Sequence, residues 1–305
     1  MKCSLCDKEA VTYRRYEGRH LCRSHFFRAT EREIARTIAQ NRLIERHDHI
    51  AAAISGGKDS LLILRTLETL SKKRTDLKIS AILIDEGIKG YRSEGVAKAK
   101  QACKTSGIKL HIASFKKEFG KTLDEIVAKN SCKGLRACTF CGVFRRHLIN
   151  KTARKIKATK VAIGHNLDDE AQAIMANYIR GDILRGARLG AKAFIAKTDA
   201  FIPRIKPLRN IPEKECALYV LLKKIDADFG ECPYASESFR WSVRDVVNDL
   251  EAKYPGTKFS IVRTYDRLQP AIQSQIGTGK IGKCEKCGEP SSRNVCKVCE
   301  LRQKI

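Results

Sequence analysis

Ser55-Gly56-Gly57-Lys58-Asp59-Ser60 stands directly behind the apolar run "HIAAAI". Its residue types suit a bound anion. Glycines let the backbone come close to a ligand. Unpaired N–H groups and the positive end of a following helix attract phosphate. Ser55 and Ser60 add hydroxyl donors, and Lys58 adds charge. The spacing differs from the common phosphate loop G-x-x-x-x-G-K-[ST], so another kind of phosphate site is expected, beyond a mere tight turn. A second stretch, "GHNLDDEAQ" at 164–172, sets acids behind Gly164. Acids at a helix start also simply suit its dipole.

The chain has 13 cysteines. Cys3-x2-Cys6 and Cys22-x2-His25 are separated by 15 residues; Cys284-x2-Cys287 and Cys296-x2-Cys299 by eight. Two short chelating pairs can close a tetrahedron around zinc, and a closed four-ligand site is structural. Both blocks are too small for a core of their own, so metal should supply much of their folding energy. Cys103 and Cys216 fall in helical patterns and read as small buried apolar residues. Cys138-x2-Cys141 in "RACTFCGVFRR" and Cys232 in "GECPYA" are expected in loops, beside Gly or Pro and basic residues. Three thiolates can hold an iron–sulfur cluster, which normally takes four. The spacing equally allows a third zinc site or a catalytic disulfide pair. Cys132 is the rival residue, as a fourth ligand or as a thiol carrying a persulfide.

These groups need a scaffold. "HIAAAI", "KISAILID", "KLHIASF" and "KVAIGHN" are short apolar runs of the kind that form buried parallel strands. Amphipathic stretches such as "KDSLLILRTLETLSKK" lie between them. The pattern predicts an α/β fold with a doubly wound parallel sheet. Ligands of such sheets sit beyond the carboxyl ends of the strands, where Ile54 meets Ser55. The expected division is a zinc module at 1–28, an ATP-binding α/β domain at 29–207, a helical extension at 208–281 and a second zinc module at 282–305.

A net charge of +26 over 305 residues favours a polyanionic partner, and nucleic acid fits best. Residues 142–160 carry seven Lys/Arg and no acid, and residues 180–209 carry eight against two; both runs are expected to meet RNA backbone. No apolar run of about 18 residues predicts a membrane span. The N-terminus lacks the apolar core of a signal peptide. A cytoplasmic protein is expected, and in that reducing setting the cysteines read as ligands or catalytic thiols.

SGGKDS resembles the pyrophosphate loop SGGxDS of the PP-loop ATPases, or adenine nucleotide α-hydrolases. The resemblance implies cleavage of ATP between its α and β phosphates, adenylation of a carbonyl oxygen and release of pyrophosphate. It implies nucleotide contacts at Ala53, Ser55, Gly56, Gly57, Lys58, Asp59 and Ser60, with Asp59 helping to hold Mg2+. GHNLDDEAQ is similar to the GHxxDD segment of PP-loop enzymes that modify tRNA. That implies Gly164 against the nucleotide and a magnesium or catalytic carboxylate at Asp168 or Asp169, of which Asp169 is taken. Ile84 and Asp85 in "LIDEGI" then line the adenine pocket. SGGKDS, GHNLDDEAQ, CTFCGVFRR, NYIRGD, RIKPLRNIPEKE and ECPYASESFR occur in this order between the terminal cysteine modules. Over essentially the whole chain they resemble the TtuA/Ncs-type tRNA 2-thiouridine synthetases.

What that family implies is ATP-dependent replacement of a uridine 2-oxygen, wobble or T-loop, by sulfur. Cys138, Cys141 and Cys232 would hold a [4Fe-4S] cluster whose fourth iron is open to sulfide. The sulfur would come from sulfide or a ubiquitin-like carrier protein, and the chain would be a homodimer. One departure is visible: some members place a lysine soon after the second cluster cysteine, where this chain has Arg145 and Arg146. Two other classes compete. An amidating or ligating PP-loop enzyme leaves the central cysteines unexplained, and a non-catalytic zinc-containing RNA-binding protein leaves SGGKDS unexplained.

Overall fold

A computed structural model describes residues 1–130, 134–192, 201–276 and 281–305. The chain opens with an antiparallel hairpin, β1 (Thr12–Arg14) and β2 (Arg19–Leu21), followed by α1 (Arg23–Gln40). Alternating units follow: β3 (His49–Ile54), α2 (Lys58–Lys73), β4 (Lys78–Asp85), α3 (Arg92–Ser106) and β5 (Lys109–Ser114). Three helices, α4 (Phe115–Phe119), α5 (Leu123–Asn130) and α6 (Ala137–Lys155), then lead to β6 (Lys160–Ile163). Next come α7 (Leu167–Ile179), α8 (Ile183–Gly186) and the short β7 (Arg204–Ile205). The remainder is α9 (Glu213–Leu222), α10 (Phe239–Lys253), α11 (Thr257–Ile276), the hairpin β8 (Gly282–Lys283) and β9 (Pro290–Ser291), and α12 (Lys297–Arg302).

The five-stranded sheet has the order β5-β4-β3-β6-β7, and all its pairs are parallel. Its strands are apolar because both faces are covered. Ile50, Ala52, Ile54, Ala81 and Leu83 face one core with Leu61, Leu64, Leu67 and Ala99. Ala51, Ile82, Ile84 and Val161 face the other, with Phe140, Phe144 and Leu148 of α6. This alternation is the period of two set by the pleat. Buried leucines of α2, each worth roughly 1.5–3 kcal/mol, anchor the helix whose first turn carries Lys58, Asp59 and Ser60. The expected doubly wound sheet is therefore present, with one strand more than the apolar runs indicated. β7 is only two residues long, too short to register as a run.

The terminal modules borrow core from the main body. Leu21 and Phe26 join the core around α2, and Arg14 is buried against Glu215 of α9 at 2.6 Å. Leu301 of α12 joins the α6 core, and Arg154 of α6 pairs with Glu289. A third core unites α7, α10 and α11 through Leu167, Val243, Val262 and Tyr265. Among the described residues, no helix is long and apolar enough to cross a membrane.

Candidate active site

Chain order in the sheet reverses between β3 and β6, the point where open α/β sheets form a ligand crevice. Two loops meet there: SGGKDS after β3 and GHN after β6. Within the first, Ser55 N–H donates to Ser60 Oγ at 3.0 Å, and Ser60 Oγ donates to the Gly57 carbonyl at 2.8 Å. No side chain caps α2 at Gly57, so its first N–H groups stay available to an anion. Gly56 has φ +89°, and a Cβ on it would lie 2.0 Å from the Gly95 carbonyl oxygen; only glycine fits. Arg92 fixes the loop from behind, donating to the Ser55 carbonyl at 2.9 Å and the Ile84 carbonyl at 2.6 Å. Asp228 N–H donates to the Gly56 carbonyl at 2.9 Å.

Lys58 Nζ lies 3.0 Å from Asp59 Oδ2 and 2.8 Å from Glu213 Oε1. Asn166 Nδ2 donates to Asp59 Oδ1 at 3.1 Å. Burial raises the Asp59 carboxyl above its ordinary value, and Asp169 adds to the rise, although Lys58 opposes it. Asp169 closes a capping box with Asn166, accepting from Asn166 N–H at 3.2 Å and donating its own N–H to Asn166 Oδ1 at 3.0 Å. Burial opposes its ionisation too, but Arg240 and His165 hold it below the ordinary carboxylate range. The site thus contains two carboxylates in unlike surroundings, joined through Asn166. Asp168 turns away: it pairs with Lys258 and accepts from Glu213 N–H at 2.8 Å.

Gly164 also makes a packing contact that the sequence did not indicate. A Cβ there would come within 2.9 Å of the Asp59 backbone, so the missing side chain admits the first turn of α2. Ala53 is half-buried and Ile84 fully buried, and both pack on the α6 side of the sheet.

Cys138 and Cys141 lie in the opening turns of α6, not in a loop. A helix start favours thiolate. Cys232 lies outside helix and strand as expected. Cys138 Sγ–H reaches the Tyr234 carbonyl at 3.5 Å, and Tyr234 OH donates to Asp124 at 2.7 Å, tethering the Cys232 segment to α5. The three thiols lie close enough to feel one another's charge. Burial pushes all three up, Cys141 to about 11, against Arg145. Glu86, buried between Arg92 at 2.7 Å and Arg145 at 3.7 Å, links the ATP loop to this cysteine site. Cys132 lies outside the described residues.

The terminal sets have another geometry. The donor atoms of Cys3, Cys6, Cys22 and His25, and those of Cys284, Cys287, Cys296 and Cys299, lie within 4.8 Å of one another. Sulfur separations are 3.7 Å for Cys6–Cys22, 3.9 Å for Cys284–Cys299 and 3.7 Å for Cys287–Cys296. A tetrahedron with 2.3 Å zinc–sulfur bonds has edges of about 3.8 Å, so both sets fit one zinc ion. One thiol in each set falls to about 6, Cys22 through Ser24 and the His25 N–H and Cys284 through the Cys296 N–H, while Cys6, Cys287 and Cys299 are raised. Among the described residues only these two sets reach single-ion spacing. The central all-sulfur trio is spread wider, which suits a multi-iron cluster better than one ion. Cys103 and Cys216 are buried as expected, though Cys216 stands against Asp59.

Arg92, Asn166, Glu213 and Arg240 were not singled out from the sequence. Arg240 lies inside ECPYASESFR and Asn166 inside GHNLDDEAQ, so both were within reach. Three residues of the basic runs, Lys160, Lys206 and Arg209, need correction as RNA-facing groups. Lys206 and Arg209 are buried with Glu170, at 2.5 and 3.6 Å, and Lys160 is buried with Asp48 at 2.7 Å. Their charge neutralises internal acids and is not offered to a partner.

A parallel sheet with SGGKDS at its switch point defines a PP-loop protein, and the PP-loop domain family matches residues 28–248. A family described as the 2-thiouridine synthetase TtuA N-terminal LIM domain matches residues 2–27. A probable sulfurtransferase of Methanocaldococcus jannaschii is 41% identical over 308 residues, covering 100% of this chain and 88% of that one. The tRNA 2-thiolation protein NcsA of Haloferax volcanii is 35% identical, covering 100% and 99%. The solved U34-tRNA thiolase NcsA of Methanococcus maripaludis, with its [4Fe-4S] cluster, superposes with a TM-score of 0.86 at 38% identity, covering 100% of this chain and 96% of that chain. The chain belongs to the TtuA/Ncs-type family of tRNA-thiolating PP-loop sulfurtransferases.

Proposed function

We propose that the chain thiolates the wobble uridine of tRNA at C2, using ATP. One arrangement carries the reading: a phosphate-binding loop with its carboxylates, and three thiols at the same end of the sheet, bridged by Glu86. The uridine O2 attacks the α-phosphorus of ATP, and pyrophosphate leaves. Lys58 and the free N–H groups of α2 hold the phosphates, and a preorganised donor of this kind is worth about 10²-fold in rate. Asp59 and Asp169 supply oxygens for Mg2+. A sulfur nucleophile then attacks C2, and AMP carries away the former O2. Cys138, Cys141 and Cys232 would hold the [4Fe-4S] cluster, which when bound offers its non-cysteine iron to the incoming sulfur. Arg145, beside Cys141 and Glu86, keeps this region positively charged.

Two zinc ions in the terminal sets, a homodimer, a cytoplasmic location, and sulfide or a ubiquitin-like carrier as sulfur source complete the proposal. The wobble position is taken from the U34 thiolase of Methanococcus maripaludis. The test is mass analysis of tRNA after incubation with anaerobically reconstituted protein and MgATP. Added sulfur at the wobble uridine is expected. ATP turnover with an amide or ligated product and no sulfur would overturn the reading.

A further inference from the structure

Arg146 of α6 and Arg204 of β7 form a cationic pair that the ATP loop and the cysteine site do not use. Arg204 Nη2 lies 3.4 Å from the Arg146 carbonyl oxygen. The Arg146 guanidinium folds back over Gly142, where a Cβ would sit 3.4 Å from both terminal nitrogens. That places it one residue beyond Cys141. Neighbouring arginines are compensated: Arg145 has Glu86 at 3.7 Å, and Arg185 has Asp182 at 3.2 Å. Arg146 and Arg204 have no carboxylate partner among the described residues. Burial, then Arg146 and Arg145, push Arg204 down to about 10. Arg146 is likewise lowered, by the protein packed around its guanidinium and then by Arg145 and Arg185, although much of the residue is exposed. Packed guanidinium groups repel, so an anion between them removes a standing cost.

Position selects the anion. β7 lies two strands from β3, roughly 10 Å across the sheet, so the phosphates on SGGKDS are served by Lys58 and α2 rather than by this pair. β7 is the edge strand beside β6, and Arg146 folds back over Gly142, the neighbour of Cys141. We infer that Arg146 and Arg204 clamp an RNA phosphodiester next to the reacting nucleotide. Planar guanidinium forks suit phosphate oxygens. This inference rests on the tRNA-thiolation reading and names a contact within it.

The experiment measures tRNA binding by the reconstituted full chain at several salt concentrations, without turnover, and ATP binding in parallel. Arg146→Gln and Arg204→Gln are each expected to weaken tRNA binding about tenfold and to lower the salt slope by about one. Arg204→Lys should recover part of the affinity, and ATP affinity should hold in every variant. Weakened ATP binding with intact tRNA binding would assign the pair to the nucleotide and overturn the inference, as would variants that bind both ligands normally. Wild-type chain that retains no tRNA would remove the parent reading along with this contact, so the two failures are distinguishable. A lost melting transition in the Gln variants, with no recovery by Lys, would make the pair structural and also overturn the clamp.

Discussion

In the terminal sets, sulfurs stand 3.7 to 3.9 Å apart and four donors close on one point, with Cys22 and Cys284 lowered to about 6, first by Ser24 and by the Cys296 N–H respectively, and Cys6, Cys287 and Cys299 raised. In the central trio, three sulfurs stand wider, and burial raises all of them. On the proposed reading, the difference separates a structural from a reactive use of cysteine. A closed tetrahedron leaves nothing for a substrate, whereas an incomplete donor set leaves a position to fill. Surroundings follow the same division. The terminal sets lie on short hairpins that fasten to α9 and α6 through Arg14–Glu215 and Arg154–Glu289. The central trio is strung between a helix start and an irregular segment, at the sheet end that carries the ATP loop.

The largest expected effect is at the trio. Cys232→Ser should remove iron and reduce tRNA thiolation to background, while zinc stays at one per terminal set. Iron, zinc and thiolated tRNA measured on the same anaerobic sample check this. Iron-free protein that thiolates fully would erase the distinction and favour a disulfide or persulfide relay on Cys138 and Cys141. Next is the ATP loop. Asp59→Ala should cost about 10²-fold in magnesium-dependent pyrophosphate release while leaving iron and zinc unchanged. Near-normal release would remove Asp59 from the chemistry.

Much of this was legible in the residues because local pattern and long-range arrangement agree there. SGGKDS follows an apolar strand and opens an amphipathic helix, and the terminal ligand pairs sit two residues apart on turns. Where sequence reasoning erred or fell short, distant partners decide. Gly164 has the Asp59 backbone beside it, more than 100 positions away, a contact no local pattern reveals. Lys206 and Arg209 read as surface charge because nothing nearby in sequence reveals Glu170 beneath them. Arg240 finds Asp169 only because α10 packs on α7. Glu86 links two sites through an arginine on each side, a role no spacing predicts.

A smaller effect is expected at the terminal sets. Cys284→Ser should lose one zinc, loosen 281–305 and lower thiolation less than Asp59→Ala does, since no reacting atom lies there. Zinc content together with proteolysis of the C-terminal block checks this; unchanged zinc would mean the four sulfurs hold none. Stability can be perturbed without touching either kind of site. Asp48 is buried against Lys160 at 2.7 Å. Burial works against its charge, but Lys160 and Thr159 outweigh it and lower its pKa. A lowered carboxyl stabilises the fold above its unfolded value of about 3.9, and that contribution disappears as pH falls through the lowered folded value. Asp48→Asn should therefore destabilise by about 3 kcal/mol at neutral pH, with a shrinking deficit below pH ~4. Denaturant melts at pH 7 and pH 3 would show a constant deficit if the pair did not matter.

The smallest expected effect tests the open position most directly. Cys132 precedes Cys138 by six residues and lies outside the described residues. Were it a fourth thiolate, the central cluster would be as closed as the terminal sets, and an incoming sulfur would have to displace a protein ligand. On the proposed reading Cys138, Cys141 and Cys232 are the three protein ligands, and the fourth position would be left to exogenous sulfur. Cys132→Ser should then retain iron and thiolation at wild-type levels. A spectroscopic response of the cluster to added sulfide should also persist in the variant. Loss of iron in Cys132→Ser would close the cluster. Retained iron with abolished thiolation would instead make Cys132 a sulfur-carrying thiol, and the sulfur would then reach C2 from a persulfide rather than from an open cluster position.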